Sequence, residues 1–335
     1  ASFLLAAAAY SAGEMDESLT NLNRVFAAIK DSGSQNLLAS TGRELQNILK
    51  QMQKDVEFEA AVSEIMRMVV NFERQLPGLR RQLRRQTQSV PLGPPRISVI
   101  TLGRVQVRSN NKVISTADWV GQSSRDLFLY LLSQPEGVSK TEAEGIIWPD
   151  GSFENAGLRF KNAVYRVRKA IGKEAILFEG NIYRFNHALD YEEDAETFER
   201  MIELALNSSD VKRRIFHFEA ALKLYKGSYL PDVHHEWVLP RRARLRARFL
   251  DSLLDLARLY MEEKLYPQAI AAVERAINEE HCYEEAYQLG MQIHDATDNP
   301  AGVQRLYDQC CKAMLAEWGA EPGKNTRQLY ETLKH

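Results

Sequence analysis

Arg159, Asn162, Arg166 and Lys169 follow one another at intervals of three, four and three residues, with Tyr165 beside them. At 3.6 residues per turn this spacing gathers them on one side of a helix. Their chemistry suits a DNA major groove: arginine or lysine donates to the O6 and N7 edge of guanine, asparagine pairs with adenine, and further cations neutralise phosphates. Phe160, Val164, Val167 and Ile171 recur on the opposite side at four, three and four, an apolar stripe that would anchor the helix on its own domain. Any solvated amphipathic helix shares this pattern, so the surroundings decide its meaning.

Those surroundings read as a small α+β domain over residues 96–190. Ile97 and Val99, then Val105 and Val107, alternate with polar residues, and Asn110-Asn111 before Lys112 is a hairpin-turn signal. Helical spacing returns over 123–132 and is stopped by Pro135 and Gly137. Ser139 with Glu142 predicts a capping box for a second helix, closed by Trp148-Pro149-Asp150-Gly151. The DNA-reading candidate, helix 154–171, follows and ends at Gly172, where a left-handed cap is expected. Residues 176–178 and 182–185 then form a hairpin about a turn at 179–181. The order of a sheet, three helices and a hairpin is that of a winged helix-turn-helix.

Charge supports the reading once the chain is divided. The net charge of −2 conceals a segment 96–189 with 13 basic and 9 acidic residues and a segment 190–335 with 19 basic and 26 acidic. A basic domain attracts phosphate backbones, and an acidic one repels them. The acidic region is therefore not expected to add to DNA affinity.

Residues 191–335 read as helical throughout. Ala257, Tyr260, Ala269, Val273 and Ala276 are matched 34 residues later by Met291, His294, Val303, Tyr307 and Cys310. This is the spacing of tetratricopeptide-like helix pairs, degenerate here because His281 stands where proline is common. Residues 1–90 are also helical, with Leu45, Ile48, Leu49 and Met52, then Val62, Ile65, Met66 and Val69, at helical spacing and Gly13, Gly33 and Gly42 as punctuation. The run Arg80, Arg81, Arg84 and Arg85 reads either as a DNA-contacting arm or, better, as a solvated last turn whose cations suit a helix C-terminus. Pro91 to Pro95 forms a linker. The fold class is thus mainly α with a small α+β domain: a helical segment (1–90), a linker (91–95), a winged helix (96–190) and tetratricopeptide-like repeats (191–335).

The stretch LRFKNAVYRVRKAIG from Leu158 to Gly172, followed by GNIYR from Gly180 to Arg184, resembles the recognition helix and wing of response-regulator-type winged helix domains. The region with DAETF (194–198), YKGSYL (225–230) and WGAEPG (318–323) resembles the bacterial transcriptional activator domain. In this order the two are similar to the SARP-type bacterial regulators over residues 96–335. The resemblance implies a sequence-specific activator that binds direct repeats in promoter DNA, as a possible homodimer, and recruits RNA polymerase. Carried over by position, the DNA-binding residues would be Arg159, Asn162, Tyr165, Arg166 and Lys169 on the helix, with Asn181 and Arg184 on the wing. Those regulators often begin with the winged helix. The preceding helical segment is similar to the repeats of large ATP-dependent regulators, which implies the C-terminal part of such a protein.

Other functions find little support. Gly319, Gly323, Lys324 and Asn325 miss the P-loop spacing and suit a helix-ending turn, and His234-His235-Glu236 lacks the HExxH spacing of a zinc site. No nucleophile is paired with a base, so no enzyme, cofactor or metal site is expected. Cys282, Cys310 and Cys311 fit neither a disulfide framework nor CxxC metal binding and read as core residues. The longest apolar run, Phe3 to Tyr10, has 8 residues against the ~20 that span a bilayer, so a cytoplasmic protein with no membrane partner is expected. Two alternatives to the activator are a protein-interaction scaffold and the output module of an ATP-driven switch.

Overall fold

The computed structural model describes residues 2–32, 35–86, 94–149 and 153–334. They form two compact units, one of residues 1–94 with 187–190, the other of residues 95–186 with 191–335. Gly33 and most of the expected linker at 91–95 lie outside the described residues.

The first unit is helical: α1 (Ser2–Ala12), α2 (Met15–Ser32), α3 (Gln35–Glu44), α4 (Gln46–Met52) and α5 (Val56–Gln86). Phe58, Val62, Ile65 and Val69, at four, three and four, form the buried stripe of α5 and pack with Phe3, Leu22, Leu49 and Met52. Gly42 is not the break expected of it. It lies inside α3, where a β-carbon would come within 2.8 Å of Val69, so its lack of a side chain is what lets α3 approach α5. The arginine run occupies the end of α5, but Arg84 is no solvated cation: its guanidinium pairs with the Asp190 carboxylate at 2.5 Å, both side chains largely buried.

The second unit opens with β1 (Ile97–Ile100), β2 (Gln106–Ser109) and β3 (Lys112–Val113), followed by α6 (Thr116–Trp119), α7 (Gln122–Ser133), β4 (Val138–Ser139), α8 (Lys140–Ile147) and α9 (Phe153–Ile171). The wing strands β5 (Ile176–Glu179) and β6 (Ile182–Phe185) come next, then β7 (Tyr191–Glu193). Two sheets result, in the orders β3-β2-β1-β7 and β4-β6-β5. Asn110 and Asn111 both have positive φ (49° and 66°), the two left-handed residues that a tight hairpin turn requires. The short α6 is not among the helices expected from the sequence, although Ser115 and Asp118 form a full capping box there, and β4 pairing with the wing has no sequence signal. Ser139 caps α8 by accepting from the Glu142 N–H at 3.2 Å, while the Glu142 carboxylate takes the Tyr130 hydroxyl at 3.1 Å. The reciprocal half of the expected capping box is thereby replaced by a tie to α7. Gly172 takes φ +141° with an extended ψ of 150°, a glycine-favoured conformation but not the left-handed helical cap.

The helical repeats run as α10 (Asp194–Leu206), α11 (Val211–Leu224), α12 (Leu239–Glu262), α13 (Tyr266–Glu279), α14 (Glu284–Asp295), α15 (Pro300–Trp318) and α16 (Lys324–Leu333). Consecutive helices pack against one another. Of the ten positions that mark the 34-residue repeat, all but Tyr307 are buried, and Tyr307 stacks on Tyr330 at 3.9 Å. Gly319 caps α15 in the left-handed conformation, as expected of a helix-ending turn.

Winged helix and repeats are joined by backbone. Strand β7 adds to β1 in parallel, with Ile97 opposite Tyr191. The Leu230 N–H donates to the Thr101 carbonyl (2.8 Å) and the Gly103 N–H to that of Ser228 (3.0 Å). The Asp194 carboxylate accepts from the Thr101 N–H (2.7 Å), the Thr101 hydroxyl (2.6 Å) and the Leu102 N–H (3.0 Å). A β-carbon on Gly227 would sit 3.3 Å from the Gly103 Cα, which explains the glycine of the YKGSYL stretch.

Candidate nucleic-acid interface

Helix α9 is held from beneath and left open above. Phe160, Val164, Val167 and Ile171 are all buried. Its reach to the wing is fixed twice: Phe160 meets the Tyr183 ring edge-on at 4.7 Å, and the Arg168 guanidinium donates to the Ile176 carbonyl at 2.9 Å. A helix anchored along its stripe and pinned to the adjacent hairpin presents its outer side chains from a fixed frame.

Asn162, Tyr165 and Lys169 form the outward ridge, with Tyr165 66% exposed. Arg159 and Arg166 stand one flank over and are half-buried. Arg166 lies beside the α6–α7 junction, where a β-carbon on Gly121 would be 4.0 Å from its Nη1. The structure thus brings the five expected helix residues onto one ridge and one flank. From Asn155 to Lys173 the sequence has no acidic residue, and α9 carries one, Glu154, at its start.

On the wing, Gly180 (φ 57°) and Asn181 (φ 64°) make the turn. Asn181 is exposed at the tip. Arg184 pairs with Glu179 across the hairpin at 2.5 Å, so a DNA phosphate would compete with a surface carboxylate, a pairing that is individually weak.

Lys161 is a functional candidate that reading the helix face at three and four missed. It is exposed and lies two turns before Arg168, on the flank that Arg168 ties to the wing. The interval of seven was the available signal. His235 is also more than a loop residue: its Nε2 lies 3.5 Å from the Asp126 carboxylate of α7, beside an Arg125–Asp232 pair at 2.6 Å. Burial pushes the Asp126 carboxyl up, and Arg125 and His235 oppose that shift.

Among the described residues no group of side chains could hold a metal ion, and no helix is long and apolar enough to cross a membrane. Cys282 and Cys310 are buried and Cys311 partly so, all as free thiols.

Residues 193–334 match the family model described as "Bacterial transcriptional activator domain". Among solved structures the chain is similar to Mycobacterium tuberculosis EmbR in complex with a low-affinity phosphopeptide, at 16% identity and a TM-score of 0.60, over 71% of this chain. The match spans 65% of the EmbR chain and concerns the fold. A second similarity, to the TPR2AB-domain:pHSP90 complex of yeast Sti1, covers 100% of this chain and 97% of that one, at 12% identity and a TM-score of 0.30. No curated protein sequence matches the chain.

Proposed function

We propose that this chain, which joins a winged helix to a region matching the bacterial transcriptional activator domain, is a SARP-type bacterial regulator, a sequence-specific DNA-binding activator working in the cytoplasm. Helix α9 enters the major groove of promoter DNA, Asn162 and Arg166 reach base edges, and Arg159, Tyr165 and Lys169 position the helix on the backbone. Asn181 and Arg184 of the wing follow the neighbouring backbone. The acidic repeats turn toward RNA polymerase, since their charge repels DNA. Binding to direct repeats would bring two copies side by side.

The observation that carries this reading is the outer surface of α9, free of acidic residues from Asn155 onward and held in place by a buried stripe and by the Arg168 tie to the wing. A scaffold that used the winged helix for protein contacts would have no need of such a surface.

Selection from a random duplex library with the full chain tests it. The wild type should enrich a defined sequence. The folded double variant Asn162→Ala, Arg166→Ala should bind that sequence no better than random duplex, each contact being worth about 1–3 kcal/mol of discrimination. Unchanged enrichment by the double variant would remove α9 as the reader.

A further inference from the structure

The recognition helix does not end in open solvent. Its last turn forms one wall of a cleft of about 410 Å³, and the other wall is the β2–β3 hairpin: Ser109, Asn110 and Lys112 face Lys169 and Ala170 there. Two lysines from elements 57 residues apart in sequence therefore line a single cleft. The hairpin is built to stay in place. Its turn is held by the two left-handed asparagines and by the Asn110 N–H donating to the Arg96 carbonyl at 2.7 Å. The Ser109 hydroxyl reaches the carbonyl of Ile171, the last residue of α9, at 3.4 Å.

The acidic group in the cleft is Asp118. Its carboxylate accepts from the Ser115 hydroxyl (2.6 Å) and the Ser115 N–H (2.8 Å) to cap α6, and these bonds, with a smaller contribution from the Lys112 charge, hold its carboxyl below the usual range. Two cations over one committed carboxylate leave the cleft positive, and Asn110 adds neutral donors and acceptors to the same wall. Arg168, which ties the wing to α9, precedes Ala170 by two positions, about 200° around the helix. The hairpin and the wing thus bracket α9 from roughly opposite sides.

We infer that the β2–β3 hairpin is a second backbone clamp for duplex DNA, with Lys112 joining Lys169 to neutralise phosphates at the far end of the recognition helix. The inference rests on the reading of α9 as the DNA-binding helix. Phosphate contacts of this kind fix register and orientation and carry no base preference. Lys112 therefore contributes to affinity on every sequence alike.

The test uses the full chain and a labelled duplex of random sequence, with binding followed against salt concentration. Lys112→Ala should flatten the slope of log K against log salt by about 0.9, the release expected for one phosphate contact. Lys112→Arg should keep the wild-type slope, and Lys212→Ala, on the exposed start of α11, should leave it unchanged. Lys112 is exposed on a hairpin, so circular dichroism should report the same fold in all variants. A wild-type slope in Lys112→Ala together with a flattened slope in Lys169→Ala would overturn the clamp and leave α9 as the DNA-binding helix. Salt-independent binding by the wild type would overturn both. Equal flattening by Lys212→Ala would mark the effect as one of overall charge and likewise overturn the clamp.

Discussion

Arg241 and Glu193 meet at 3.1 Å in the seam between winged helix and repeats, and the Tyr229 hydroxyl accepts from the same guanidinium at 2.8 Å. Burial pushes the Glu193 carboxyl up, and the Arg241 charge and hydrogen bond oppose it. Breaking a buried pair from one side leaves a charge without compensation, so Arg241→Ala should cost about 3–5 kcal/mol in denaturant unfolding. The carboxyl left behind would rise further above its unfolded value. Between those two values the folded state holds the extra proton, so the variant should lose stability as pH rises from the ordinary carboxylate range through the raised folded value. Arg241→Ala combined with Glu193→Gln should remove that pH dependence; its persistence would assign the slope to another group. The arginines of α12 are employed in this way. Arg242 donates to the carbonyls of Tyr229, Leu230 and Val233, Arg244 pairs with Glu199, and Arg246 with Glu279 and Glu280. Arginines as dense as those of α9 are here internal fasteners, because acidic side chains and carbonyls face them.

Helix α9 and the wing are tied together by the Phe160–Tyr183 ring contact and by Arg168 on the Ile176 carbonyl. Val167 is fully buried under α9, and Val167→Asp would place a charge in that core. We expect a loss above about 4 kcal/mol, the range of exceptional substitutions, visible as lost helicity and not merely as lost binding. Gly137 tests the wing separately. It has φ +79°, and a β-carbon there would come within 2.6 Å of Ile182 and 2.7 Å of the Tyr183 carbonyl. Gly137→Ala should therefore displace β6 at a strain of about 1–3 kcal/mol while α9 keeps its own core. DNA titration should then show weaker binding with sequence preference retained, whereas loss of preference would mean that the wing also positions α9.

The joining of winged helix to repeats makes residues 95–335 the expected folding unit. A fragment ending at residue 190 lacks β7, the Asp194 acceptor and the partners of Thr101 and Gly103. It should melt well below the 95–335 fragment and exchange the β1 amides faster; equal protection would show that the seam adds nothing to the sheet. Removing residues 1–94 should leave sequence-specific DNA binding measurable, as expected of a segment that modulates activity. A folded 95–335 fragment without specific binding would refute that role.

The helices and the two asparagine turns are legible in the amino-acid order because they are local, with period, cap and positive φ set within a few residues, and the 34-residue repeat is legible because the same local pattern recurs. The same holds for the ridge of α9, where a spacing of three and four is enough to share a face. What the order could not carry are pairings between distant segments. Strand β7 is three residues long and pairs only because β1 lies beside it. Gly42 resembles a break until Val69 is placed against it. Lys112 and Lys169 become neighbours only when the hairpin folds back on the end of α9. Residue order sets the local geometry of each element, but which charge meets which partner depends on chain closure across tens of residues, and that is decided in the packed fold.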